Sequence, residues 1–450
     1  MKKKTRFVCQ SCGADFPKWA GQCNNCEEWG TLVEQEMETA ADVKSALKKA
    51  TFSGKPLDYK NIRDIDPPDT KERLKTEFDG LDNVLGGGIL SGSVSLLAGQ
   101  PGIGKSTILM QICANISKTH NVLYVSGEES AGQVRMRAER LGAESDGLNF
   151  ASSTSANDIA KTIETGDFSL VIIDSVQTLM MDEIASAPGT VSQITNCGNL
   201  IIRAAKSTDT AVVIVGHVTK EGTLAGPKVL EHLVDVVINF EGDRYGGFKT
   251  IRAIKNRFGS TNEVAIFEMN EKGLEEVKNP SAALLAERQN TDGSIILATL
   301  EGTRPILVEI QALVTTSNFG YPKRTASGFD LNRLQLLIAV LERRTKLRLN
   351  DKDIFINVVG GMRIQDSAAD LAVCMAIASA AAGRKLNEDY VVFGEVGLGG
   401  EIRSAFRPDQ RISESKKLGF KHAIAPSTIP DRFVIPTRDL RSALLKYLNA

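Results

Sequence analysis

The chain has 450 residues, 42% of them hydrophobic and 24% charged, with a net charge of −1. That length allows two or three domains, and the composition is that of a globular protein. No apolar run reaches the ~20 residues a membrane span needs, and no apolar run follows the basic start, so neither a membrane partner nor a secretory signal is expected. The balance is uneven: residues 281–450 carry 23 Lys and Arg against 18 Asp and Glu, so any polyanion must meet local patches rather than bulk charge.

The first motif is "CQSCGADFPKWAGQCNNCEEWG", with Cys9 and Cys12 two residues apart, ten residues, then Cys23 and Cys26. Each C-x2-C pair aims two sulfurs at one point, and two pairs supply four thiolates for tetrahedral Zn²⁺. Two disulfides are the competing reading. With no vacant position the zinc is structural, and in a segment too small for its own core it supplies folding energy. Both tryptophans, Trp19 and Trp29, lie here, either packing on the ribbon or offering a flat face to a partner. Three scattered thiols, Cys113, Cys197 and Cys374, read as small buried hydrophobes, and the set suits a reducing cytoplasm. Residues 1–33 form the expected zinc finger, and the charged segment 34–75, with "DPPD", reads as a linker.

Residues 76–278 carry an expected α/β nucleotide core. "GQPGIGKST" fits the phosphate-loop pattern between the strand "SVSLLA" and the helix "TILMQICANI". Gly99, Gln100, Pro101, Gly102, Ile103, Gly104, Lys105, Ser106 and Thr107 form the nucleotide cradle, backed by a helix N-terminus. Lys105 is expected on the β- and γ-phosphates of ATP, and Ser106 on Mg²⁺. Three more strands end in polar groups. "NVLYVSGEES" ends in Glu128 and Glu129, "LVIIDS" in Asp174, the second Mg²⁺-directing group, and "AVVIVGHVTK" at His217. Near-continuous β-branched runs separated by helices mean a mostly parallel sheet whose carboxyl ends gather around the nucleotide. Glu128 is the first choice to orient the attacking water and Glu129 the second. His217 is either a γ-phosphate sensor or a strand-end histidine.

This order of parts resembles the RecA-type ATPase core. The four-Cys finger, the phosphate loop and "KNRFG" at residues 255–259 together resemble the bacterial RadA (Sms) family of DNA repair proteins along nearly the whole chain. By their own alternation, Lys255 and Arg257 point to one side of a Gly-terminated turn, a catalytic arrangement that suits a transition-state phosphate. A basic surface hairpin is the plainer reading. The resemblance implies that both reach a neighbouring subunit's nucleotide, hence a homo-oligomer, expected as a hexameric ring. It also implies that the Gly-rich segment "VTKEGTLAGPK", with Lys220 and Lys228, touches single-stranded DNA, with Lys255 and Arg257 adding charge.

Residues 281–450 alternate strands and helices and resemble the α/β peptidase domain of Lon-type proteases. Laid on the Ser–Lys pattern of that family, "QDSAADLA" puts Ala368 at the nucleophile and Asp409 at or near the base, so an inactive peptidase fold is expected. Asp366 and Ser367 are expected to cap its helix. Basic patches, with Arg403, Arg407 and Arg411 among them, are expected to guide duplex DNA. The family resemblance implies a DNA-stimulated ATPase acting on single-stranded and branched DNA beside a RecA-type recombinase.

Overall fold

The computed structural model describes residues 5–9, 14–36, 59, 61–64, 73–217, 229–242, 248–317 and 321–448. Cys12, Lys220 and Lys228 lie outside them, as does the side chain of His217. The chain divides into two compact units, Met1–Pro68 and Asp69–Ala450.

In the first unit β1 (Thr5–Cys9) pairs antiparallel with β2 (Asp15–Phe16) on one side and β3 (Leu32–Glu36) on the other. Its core is small: Cys9, Cys23 and Leu32, with Phe7 and Phe16 against them. So few apolar side chains do not hold a sheet by burial, and a metal centre has to contribute.

The second unit opens with β4 (Arg73–Leu74), α1 (Asp79–Val84) and β5 (Ile89–Leu90). Next come β6 (Val94–Gly99), α2 (Lys105–Ile116), β7 (Val122–Ser126), α3 (Ala131–Leu141), β8 (Leu148–Ser152) and α4 (Ala156–Thr165). Then follow β9 (Leu170–Asp174), α5 (Val191–Thr208), β10 (Ala211–His217), α6 (Val229–Leu233), β11 (Val236–Gly242), β12 (Lys249–Asn256), β13 (Val264–Asn270) and β14 (Gly273–Glu276). They form one nine-stranded sheet, ordered β14-β13-β12-β11-β6-β10-β9-β7-β8. The six strands from β11 to β8 are parallel, and β12 to β14 extend the sheet antiparallel. Side-chain alternation feeds two cores: Leu97 joins the layer under α2, and its neighbour Leu96 joins the layer under α4 and α5. This is the mostly parallel RecA-like core that the motif order predicts.

The chain continues through α7 (Pro280–Leu285) into β15 (Ser294–Glu301), β16 (Arg304–Thr316), β17 (Arg324–Ser327), α8 (Leu331–Thr345), β18 (Lys352–Val358) and α9 (Ala369–Ala382). The last elements are β19 (Tyr390–Val392), β20 (Glu395–Val396), β21 (Ile402–Arg403), α10 (Pro408–Lys417), β22 (His422–Pro426), β23 (Val434–Thr437) and α11 (Leu440–Tyr447). A mixed seven-stranded sheet runs β17-β18-β16-β15-β19-β22-β23. α9 is buried on every side from Ala369 to Ser379, which its small side chains permit by close approach to β15 and β16. Gly383, at φ +60°, closes it in a left-handed cap. Among the described residues no helix is long and apolar enough to cross a membrane.

Two expectations change at the start of α9. Asp366 does shape the turn, its Oδ1 accepting from the Ala368 N–H at 3.0 Å, but no side-chain cap bond comes from Ser367. Arg411 is not a surface cation: it is 1% exposed, and its guanidinium donates to Asp366 Oδ2 (2.6 Å), to the Ala298 carbonyl (2.7 Å) and to the Phe406 carbonyl (3.1 Å). A side chain whose donors are spent inside the core is closed to DNA. The cation facing the start of α9 is therefore Arg411, two residues beyond the counted position, while Asp409 stands exposed on α10.

Candidate nucleotide site and metal centre

β6 delivers the phosphate loop from the middle of the parallel strands. Gly102 (φ +77°) and Gly104 (φ +118°) take backbone conformations that L side chains rarely adopt, and a Cβ on Gly104 would lie 2.8 Å from the Met269 methyl. These turns point successive N–H groups inward, a nest for phosphate oxygens. Lys105, the first residue of α2, is 5% exposed and donates to the Gly99 (2.8 Å) and Gln100 (3.0 Å) carbonyls. Burial lowers its pKa to about 8, against the opposing pull of the Asp174 and Glu128 carboxylates. The ammonium thus lies within the field of both acids.

Strand register gathers the other groups. Ser126 on β7 stands beside Asp174 on β9, and His217 on β10 beside Gly99 on β6. Ser106 Oγ donates to Asp174 Oδ2 at 2.9 Å, and the Tyr124 hydroxyl donates to the same oxygen at 2.7 Å. A hydroxyl and a carboxylate converging at the loop are the hard oxygen donors that Mg²⁺ takes beside nucleotide phosphates. Burial and the Asp174 charge hold the Tyr124 phenol well above its ordinary pKa, so it remains a donor. Sequence reasoning missed Tyr124; its signal is a lone hydroxyl in the aliphatic strand "VLYVS".

The two adjacent glutamates part company. Glu129 is clamped by the two terminal guanidinium nitrogens of Arg137 on α3, at 2.6 and 2.5 Å. Glu128 accepts from the Ser175 hydroxyl, beside Asp174 and within reach of the Lys105 field. Ser175 is fully buried and was also missed; it follows the strand-end carboxylate directly.

Lys255 and Arg257 sit elsewhere. β12 runs antiparallel to β11, so Lys255 lies opposite Val237, and Val237 opposite Leu96 on β6. Arg257 lies further along, its N–H on the Asp235 carbonyl, while the Asp235 N–H bonds to Val94. At ~3.3 Å per residue, these positions fall about 10 and 16 Å before Gly99, at the opposite end of the sheet from the chain's own phosphate loop. The Lys255 ammonium donates to the carbonyls of Glu231 (2.9 Å), His232 (3.2 Å) and Val234 (2.7 Å), closing the exit of α6. Arg257 pairs with buried Asp235 at 3.2 Å, and Lys206 approaches the same oxygen at 3.4 Å. Both cations thus lie near Asp235, Arg257 from beyond the end of β12; sequence reasoning missed Asp235.

In the first unit the sulfurs of Cys9, Cys23 and Cys26 all lie within 4.8 Å of one another, and Cys9 to Cys26 is 3.6 Å. None is in a disulfide. Thiolates at ~2.3 Å from a tetrahedral Zn²⁺ stand about 3.8 Å apart, so these three fit that ion. The turn is set by the Glu27 N–H on the Cys23 carbonyl (2.8 Å) and the Asn25 N–H on the Cys23 sulfur (3.4 Å).

Family models match in three places: an AAA domain at residues 64–223, a rubredoxin metal binding domain at 7–34, and subunit ChlI of Mg-chelatase at 332–429. The DNA repair protein RadA of Bacillus subtilis is 46% identical over 439 residues, 97% of this chain and 95% of its own length. Those of Pseudomonas aeruginosa and Escherichia coli are 46% and 45% identical, each across 94% of this chain and 93% of their own. This chain belongs to the RadA family of DNA repair proteins. Its middle sheet is a P-loop ATPase domain, which takes ATP and Mg²⁺, its first unit is a zinc ribbon, and its last sheet belongs to a ChlI- and Lon-like domain. The crystal structure of the RadB recombinase overlays 46% of this RadA-family chain and all of its own, with a TM-score of 0.37 and 20% identity.

Proposed function

We propose that this chain is a DNA-dependent ATPase motor that processes recombination intermediates, by branch migration or helicase-like extension of strand-exchange joints made by a RecA-type recombinase. The observation that carries the reading is the placement of Lys255 and Arg257 at the far end of the sheet from their own phosphate loop. Cations there do not serve their own nucleotide; in a head-to-tail ring they serve the neighbour's. A hexameric, cytoplasmic assembly follows, with turnover tied to subunit contact. Lys105 neutralises phosphate charge, Ser106 and Asp174 hold Mg²⁺, and Glu128, steadied by Ser175, orients the attacking water. Lys220, Lys228, Arg403 and Arg407 are assigned to DNA, and residues 76–278 and 281–450 are taken as the ATPase and Lon-like domains.

The Lon-like domain is read as non-proteolytic. Ala368 has no nucleophilic atom, and Asp409, counted at or near the base position, stands exposed on α10. The second reading, an ATP-gated adaptor without translocation, is favoured by the exposed Trp19 (62%) and Trp29 (75%) on the zinc ribbon. Unwinding of a forked DNA substrate separates the two. A motor unwinds it with ATP and loses that activity in Lys105→Ala. ATP turnover stimulated by single-stranded DNA, with no strand movement, leaves the adaptor.

A further inference from the structure

The turn between β21 and α10 carries an aromatic side chain that the nucleotide site does not use. Phe406 is 70% exposed. Its carbonyl accepts from Nε of buried Arg411 at 3.1 Å, so the backbone under the ring is anchored in the core. The next residue, Arg407, has φ +48°, a left-handed conformation disfavoured for any residue with a Cβ. That conformation lays its guanidinium over the Phe406 ring, 5.1 Å from the centroid. Gln410, in the amide orientation that satisfies its neighbours, accepts from Arg407 at 3.2 Å and donates to the Thr303 carbonyl at 2.9 Å. Arg403, 64% exposed at its side chain, lies on the strand that leads into the turn.

A lone exposed Phe is ordinary on a protein surface. Here the ring stands on a fixed backbone, and a strained neighbour holds a cation against it, which marks a built feature. An unpaired base offers a π-face to such a ring and a phosphate to the cation. A duplex hides its base faces within the stack, so it has no use for the ring. We propose that Phe406 and Arg407 form a subsite for one unstacked base of single-stranded nucleic acid, with Phe406 stacking on the base and Arg407 meeting the adjoining phosphate. The proposal rests on the DNA-binding reading above and sharpens it from backbone contact to base contact.

The test uses the full chain with two oligonucleotides of equal length and charge, oligo-dT and its abasic counterpart, titrated by fluorescence anisotropy. Phe406→Ala should weaken oligo-dT binding roughly 5- to 100-fold and leave abasic binding unchanged. Phe406→Trp should restore oligo-dT binding. Equal loss on both strands, or no loss on either, overturns the subsite. So does a Phe406→Ala protein with a smaller native mass, because the ring would then lie between copies of the chain. Wild-type protein that binds neither strand removes the DNA-binding reading itself, and the subsite with it.

Discussion

Glu128 and Glu129 are adjacent and chemically alike, and their neighbours alone separate them. Arg137 holds Glu129 in a bidentate ion pair, which fixes it to α3. Glu128 accepts instead from a neutral hydroxyl, that of Ser175, and its carboxylate acts on the Lys105 ammonium, which is why the proposal gives it the attacking water. Glu128→Gln should reduce ATP turnover about 100-fold or more while nucleotide binding persists. Glu129→Gln should keep most of the turnover, because it removes an ion pair and not the water-orienting group. Steady-state turnover beside nucleotide titrations checks both, and the reverse ranking would reassign the role. At the same scale, Asp174 gathers Ser106 and Tyr124 on one oxygen, so the carboxylate proposed to direct magnesium is already oriented by two donors.

At the scale of elements, the start of α9 is held by a buried ion pair. Asp366 takes bonds from Thr299 (3.1 Å), the Leu300 N–H (3.1 Å), the Ala368 N–H and Arg411, tying β15, α9 and α10 together. Arg411 also lies over the Phe393 ring at 5.8 Å. The pair is a fastening for three elements, and removing one partner strands the other inside. Arg411→Ala should cost about 3 kcal/mol of stability by leaving Asp366 uncompensated, measured by denaturant unfolding. Substituting exposed Arg403 should leave stability near the wild-type value, since its pair with Glu401 is a solvated one. Equal effects of the two substitutions would contradict the assignment of Arg411 to the core.

At the scale of the whole molecule, the proposal requires that two copies of the chain complete one site. Lys255 closes the exit of α6, the helix that follows residues 218–228, and Arg257 leans on Asp235, all at one end of the sheet. The phosphate loop opens at the other end. Two inactive variants should therefore rescue each other. Lys105→Ala lacks a working nucleotide site but keeps its cations, and Arg257→Ala has the converse defect. Mixed rings contain some junctions with both parts intact, so the mixture should turn over ATP faster than the sum of its components. Activity equal to that sum would place Arg257 on its own chain's nucleotide. The three cysteines that lie together in the first unit belong to a separate compact body, so the zinc ribbon's contribution is separable from this test.

The sequence by itself determined the parts that depend on local spacing. Two C-x2-C turns, a phosphate loop between an apolar strand and a helix, and β-branched strands ending in acids each state their chemistry within a few residues. The parallel core and the small-residue helix closed by Gly383 were legible for the same reason. Only the tertiary structure decided the relations between distant segments. It separated Glu128 from Glu129 through Arg137 and Ser175, and it placed Tyr124 on Asp174. It turned β12 so that Lys255 and Arg257 face away from their own loop. It also sank Arg411 into the core while leaving Arg407 and Phe406 outside. Burial and partner choice depend on which elements pack together, and residues such as Asp366 and Arg411, 45 positions apart, carry no mark of their pairing until the chain has folded.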